Sequence, residues 1–209
     1  MMAELILYTN PMSRGRIARW MLEEVGVPYE TQVLAYGPDG MKGPAYRAIN
    51  PMGKVPAIRH DGVVVTEAAA ICAYLADAFP QAGLAPAHDS KERGPYYRWL
   101  FFAAGPLEQA VVNKACGFQP TSEQGRMVGY GSYGETLDAL EAAVAAADYI
   151  AGDRFSAADL YVGAHLGWGL AFGTIEKRPA FEAYARRMSN RPACKRAAAI
   201  DDALMPKKE

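Results

Sequence analysis

The run Gly129-Tyr130-Gly131-Ser132-Tyr133-Gly134 matches GxGxxG letter for letter, and Asp153 follows at about the separation of a ribose contact. Such a loop holds a dinucleotide only between a buried strand and a helix of a βαβ unit. No strand pattern precedes Gly129, so that chemistry is excluded, and the glycines are read as allowing close helix approach. His60, His88 and His165 lack metal-ligand spacing, and no metal is expected. Cys72, Cys116 and Cys194 are odd in number, scattered and never spaced CxxC, which favours reduced thiols over a disulfide framework or a zinc knuckle. Two candidate helix starts remain where a hydroxyl precedes a helical pattern: Ser13, and Thr66 before Glu67. A helix start offers free N–H groups and the positive end of the helix dipole, and so can seat an anion.

The elements that would carry these residues follow from periodicity. Residues 4–9 read as a strand, and a helix from Ser13 has Ile17, Ala18, Met21, Leu22 and Val25 at helical spacing until Gly26 and Pro28 stop it. Residues 29–34 read as a second strand, parallel to the first, and a loop runs over 36–44. Strands at 57–59 and 63–65 flank His60-Asp61-Gly62 as a hairpin. A helix over 67–79, capped by Thr66, then has Ala70, Ile71, Tyr74, Leu75 and Ala78 on one face. PQAGLAPAHDS, from Pro80 to Ser90, has the composition of a linker. Beyond it, a stripe of Tyr97, Leu100, Phe101, Ala104, Leu107 and Val111 bends at Pro106. Further helices are predicted at 122–149, 157–172, 179–189 and 192–204, before a short Pro-Lys-Lys-Glu end. The division is therefore an α/β domain over 1–80, a linker over 81–90 and an all-helical domain over 91–209.

A formal charge of -1 with both signs interspersed leaves no electrostatic footprint for nucleic acid or an anionic membrane. The N-terminal apolar run, Leu5 to Leu7, is too short for a signal peptide, and no segment reaches a bilayer-spanning length, so the expected location is cytoplasmic.

NPMGKVPAI from Asn50, followed by HDGVVVTEAAAICAYL, resembles the thioredoxin-like domain of cytosolic glutathione transferases, with an atypical active-site stretch of bacterial type. Phe155-Ser156-Ala157-Ala158-Asp159 independently resembles the capping box and staple of that family's helical domain, where Ser156 and Asp159 satisfy helix-start donors. The resemblance implies a thioredoxin-like N-terminal domain followed by an all-α C-terminal domain, glutathione as co-substrate, and a homodimer. It implies a cis Val55-Pro56 bond, with the Val55 backbone pairing with the cysteinyl part of glutathione. It puts Glu67 and the Ala68 N–H on the γ-glutamyl end, although many relatives have serine where Ala68 stands. Lys54 and Lys42 correspond to places near the glycyl carboxylate.

Conjugation needs the thiolate, and lowering a thiol pKa from about 8.5 by about two units corresponds to about 2.7 kcal/mol, within reach of one donor plus a helix N-terminus. By resemblance the donor lies between Tyr8 and Arg14, with Ser13 ahead of Asn10 and Tyr8 third. A plain helix cap is the other reading of Ser13. No cysteine stands there, which disfavours mixed-disulfide chemistry on a protein thiol. The electrophile is expected between the domains, against Met12, Trp99, Phe102 and Pro106, with Trp168, Phe172 and Arg178 as further candidates. The implied activity is transfer of glutathione to hydrophobic electrophiles, with peroxidase activity possible. The alternatives are a non-catalytic adaptor of the same fold or a glutathione-dependent disulfide reductase.

Overall fold

The computed structural model describes residues 4–205; the Pro-Lys-Lys-Glu end lies outside them. Contacts divide the chain into two units, one reaching Gly83 and resuming at Pro192, the other Leu84–Arg191. The sequence division had put everything after residue 90 in the helical domain. The contacts instead give the last helix to the first unit, because its partner is a helix nearly the whole chain away.

In the first unit, β1 (Leu5–Thr9) is buried throughout, since it is flanked by a strand on each side. β2 (Glu30–Val33) pairs with it in parallel through the crossover helix α1 (Gly15–Val25), as parallel pairing requires. β3 (Ala57–His60) and β4 (Val63–Thr66) complete a sheet of order β2-β1-β3-β4, both added antiparallel. The apolar stripe of α1 is buried as its spacing predicts, and Gly26 ends it at φ 75°. Asp61 and Gly62, at φ 47° and 83°, make a tight hairpin turn, so His60 belongs to the strand rather than the turn. A short helix, α2 (Pro44–Arg47), begins at the last residue of the predicted loop.

Two details of the next helix differ from expectation. Helix α3 spans Ala68–Ala78; Thr66 ends β4 and Glu67 takes the cap position, so Thr66 caps nothing. Its buried face is Ala68, Ile71, Cys72, Leu75 and Ala76, while Ala70 and Ala78 are exposed. An alanine-rich segment offers little contrast between faces, which is why periodicity chose a stripe slightly rotated from the real one.

The second unit is helical. Helix α4 (Arg93–Phe102) continues through a π-turn over 103–107, which contains Pro106, into α5 (Glu108–Ala115), so the predicted bend is a wider turn rather than a simple kink. Its buried face is Tyr96, Trp99, Leu100, Ala103, Leu107 and Ala110; Tyr97 and Phe101, expected inside, are exposed. YYRWLFF is apolar around much of the helix and cannot fix a face. Helix α6 (Tyr133–Ala146) is half the length predicted, because Gly131 at φ 65° and the Ser132 cap start it late. A Cβ at Gly129 or Gly134 would meet open space, so close approach does not explain these glycines. Helices α7 (Ala157–Phe172), α8 (Pro179–Ser189) and α9 (Pro192–Ala203) agree with the sequence to within a residue. No helix among the described residues is long and apolar enough to cross a membrane.

Candidate functional site

The sheet register gathers the candidate residues of the first unit. Tyr8 pairs with Ala57 and Ala57 with Thr66, while Thr9 pairs with Val33. The segments leaving these positions, Asn10–Ser13, Val55–Pro56, Glu67–Ala68 and Leu34 onward, must therefore emerge at one end of the sheet. Helices α1 and α3 both begin there, so two positive dipole ends share that edge; at α1 the Gly15, Arg16 and Ile17 N–H groups already have acceptors in Ser13 and Arg14. The Val55-Pro56 peptide bond is cis, as expected.

The turn from Asn10 to Ser13 is closely tied. Asn10 is 6% exposed, and both ends of its amide face protein: Nδ2 donates to the Leu34 carbonyl at 2.8 Å, and Oδ1 accepts the Met12 N–H at 2.9 Å. Ser13 is half-buried; its hydroxyl donates to the Asn10 carbonyl at 2.7 Å and accepts the Gly15 N–H at 3.0 Å. The formal cap position is Arg14, which makes no side-chain cap bond, so the Ser13 hydroxyl serves the first turn from one residue further out. A Cβ at Gly15 would collide with Thr9 Oγ1, so only glycine lets α1 begin this close to β1. Tyr8 is core, 2% exposed and tilted against Tyr46 with ring centroids 5.7 Å apart.

Glu67 has φ 64° and ψ 119°, a conformation that few residues other than glycine adopt. It makes no cap bond and its side chain is exposed, which leaves the carboxylate available beside the α3 N-terminus. Ala68 is 8% exposed and contributes its N–H rather than a side chain.

The lysines are placed differently from one another. Lys42 Nζ donates to the Met52 carbonyl at 2.8 Å, pinning the loop before Gly53. Lys54 is exposed, and its carbonyl accepts from Tyr46 at 2.6 Å and Asn50 Nδ2 at 2.8 Å. Burial pushes the Tyr46 hydroxyl up to about 12, so it remains a donor at neutral pH. Asn50 Oδ1 also accepts the Met52 N–H at 3.1 Å, so one asparagine shapes the whole approach to Val55.

Met12, in the first unit, is 55% exposed. In the second unit Trp99 is core at 5% exposure, edge-on to Phe102 with centroids 5.1 Å apart, whereas Phe102 and Pro106 are half-buried. Arg178 is held by Glu176, Asp138 and Glu141 at 2.6 to 2.8 Å, which leaves its guanidinium little freedom to reach elsewhere. Sequence reasoning missed two side chains of the site. Tyr36 donates to the Met12 carbonyl at 3.0 Å and Arg16 Nε to the Pro11 carbonyl at 2.6 Å. Neither has a motif, since at this turn each recognises only backbone.

Family profiles described as glutathione S-transferase N-terminal domain and C-terminal domain match residues 12–78 and 115–192. Glutathione S-transferase 3 of Schizosaccharomyces pombe is 30% identical over 93% of this chain and 86% of its own length. A glutathione transferase structure from Methylococcus capsulatus superposes with a TM-score of 0.79 at 30% identity, covering 96% of this chain and all of the other. A sphingomonad glutathione S-transferase complexed with glutathione gives 0.77 at 32% identity, covering 94% and 98%.

Proposed function

The chain belongs to the glutathione S-transferase family and is a glutathione-using transferase, and from that premise we propose that Ser13 stabilises the glutathione thiolate for attack on a hydrophobic electrophile. The observation that carries this reading is the contrast between Ser13 and Asn10. Asn10 is buried with its amide committed at both ends, so it shapes the turn. Ser13 gives its proton to a neutral carbonyl that also has the Ser13 N–H at 3.1 Å, and so can release it.

When glutathione binds, the Ser13 hydroxyl rotates from the Asn10 carbonyl to the sulfur, and the Asn10 carbonyl keeps its backbone donor. The dipole of α1 favours the same negative charge. The thiol proton leaves to solvent, the sulfur bonds to the electrophilic carbon, and the leaving group departs with the electron pair of the bond it loses. Val55 pairs with the cysteinyl backbone, with Pro56 setting its direction. Glu67 takes the ligand ammonium, and the Ala68 N–H takes its α-carboxylate. Lys54 faces the glycyl carboxylate with Lys42 bracing the loop. Met12 is the exposed apolar side chain beside the turn that meets the electrophile. The same reading carries a homodimer and a cytoplasmic location.

Calorimetric titration with glutathione, paired with a chlorodinitrobenzene conjugation assay, tests this. Glu67→Ala is expected to weaken binding about tenfold, the loss of one charge-assisted contact, without abolishing turnover at saturating glutathione. A wild-type protein that binds no glutathione would sink the proposal.

A further inference from the structure

We propose that Arg16, anchored by Asp202 of α9, is a positioning residue for thiol activation, so that the chemistry at the start of α1 depends on the last helix of the chain. This rests on the reading that the Asn10–Ser13 turn supplies the thiolate donor. Three successive carbonyls of that turn each have their own donor. The Asn10 carbonyl takes the Ser13 hydroxyl and N–H, the Pro11 carbonyl takes Arg16 Nε at 2.6 Å, and the Met12 carbonyl takes the Tyr36 hydroxyl. Arg16 is the charged one among these donors. A charge-assisted bond at that length is stronger than a neutral one, and it fixes the peptide two residues before Ser13.

The other end of Arg16 explains why it holds still. Its second terminal nitrogen bonds Asp202 Oδ1 at 2.7 Å, so one guanidinium bridges the turn and α9. Asp202 is 66% exposed, and an exposed ion pair adds little stability of its own. Its effect is directional: it selects the arginine rotamer whose Nε points at Pro11. Asp202 is in turn held in place because α9 is clamped along α1. The neighbouring Asp201 pairs with Arg19 at 2.8 Å, both side chains at 1% exposure or less, and Arg196 grips Glu23 through its carboxylate and its carbonyl. A lysine at 16 would keep the charge but not the fork that reaches two acceptors in fixed geometry.

The charged groups around this tether are Arg19 on α1 and Asp201 on α9. Arg16 itself helps hold the Asp201 charge, opposing the burial that pushes that carboxyl up. Charge and geometry therefore have to be separated. The thiol of bound glutathione is titrated by its ultraviolet thiolate absorbance in wild type, Arg16→Lys, Asp202→Ala and Asp202→Asn, together with the pH profile of kcat/KM and the calorimetric Kd.

Arg16→Lys is expected to raise the bound-thiol pKa by about one pH unit, and so to cut kcat/KM about tenfold below that pKa. Asp202→Ala is expected to cost about threefold, and Asp202→Asn, which keeps an oxygen acceptor, to behave as wild type. Glutathione Kd measured below the bound-thiol pKa, where the thiol stays protonated, should remain within about twofold, since the tether touches no ligand group. An Arg16→Lys protein with the wild-type thiol pKa overturns the tether, as does a loss of activity that merely follows the folded fraction. Ser13→Ala, titrated alongside, separates the two failures. No shift there overturns the premise about the hydroxyl; a shift there with none in Arg16→Lys overturns the tether alone.

Discussion

Ser156 at the start of α7 and Ser13 just ahead of α1 give their hydroxyl protons to different kinds of acceptor. At α7, Ser156 is 3% exposed; its hydroxyl and N–H both reach Asp159 Oδ2, at 2.8 and 2.9 Å. The other oxygen of that carboxylate accepts the Ile150 N–H at 2.7 Å and the Tyr184 hydroxyl at 2.6 Å. At α1, Ser13 is half-buried, has no acidic partner and gives its proton to a backbone carbonyl. A buried charged acceptor holds a proton firmly, whereas a neutral carbonyl with a second donor can give it up. The first serine is a structural cap and the second is available for chemistry, although both are helix-start serines in sequence.

The largest test removes the charged hub. Asp159→Ala leaves the Ser156 hydroxyl, the Tyr184 hydroxyl and two N–H groups without their acceptor in a buried setting, and is expected to cost about 3–5 kcal/mol in chemical denaturation. The protein that remains folded should titrate bound glutathione as wild type does. A moved thiol pKa would show that the two helix starts are not independent.

Ser13→Ala should show the reverse pattern. Its stability cost is that of a half-buried hydroxyl serving a helix start, about 1 kcal/mol or less. The bound thiol pKa is expected to rise by about two units, lowering kcat/KM about a hundredfold at pH values below the wild-type pKa. The sign is fixed by which form reacts. A raised thiol pKa depletes the thiolate at low pH, so the deficit shrinks as pH rises and vanishes above the new pKa. A loss of activity that is equal at all pH values would mean that the serine orients the ligand rather than its proton.

How much of this was readable in the chain varies with the range over which each residue acts. NPMGKVP and TEAAA act through their own neighbours, so the hairpin and the start of α3 were legible to within a residue, while the cis bond followed from the family resemblance that NPMGKVP carries. The Ser156–Asp159 box is local and was legible too. The role of Asn10 was not, because its partners are the backbone of Leu34 and Met12, and any residue could have stood there. Arg16 and Asp202 are separated by nearly the full chain, and an arginine in a first helical turn reads as surface. The face of α4 was obscured by YYRWLFF, where tertiary packing rather than periodicity chooses which rings are buried.

Ser156→Ala comes next in size. It deletes one buried hydroxyl that bonds a carboxylate while leaving the Ser156 N–H on Asp159, so about 1–2 kcal/mol of stability should be lost. Conjugation rates of the folded protein should not change. If they fall, the second unit's cap acts on the chemistry and the contrast between the two serines fails.

The smallest expected effect is the most discriminating for Ser13. Ser13→Thr keeps the hydroxyl and adds a methyl at a half-buried position where the chain is not in a helix. A β-branched side chain is stiffer about its first torsion, so the hydroxyl turns less readily from the Asn10 carbonyl towards the sulfur. The thiol pKa should therefore move by a few tenths of a unit and kcat/KM by about threefold or less, far from the alanine result. Thermal stability should be unchanged, because threonine also serves a helix start. Threonine matching alanine in the thiol titration would mean that the shape of the turn, and not the hydroxyl, lowers the thiol pKa, which would place the chemistry on the backbone N–H groups of α1.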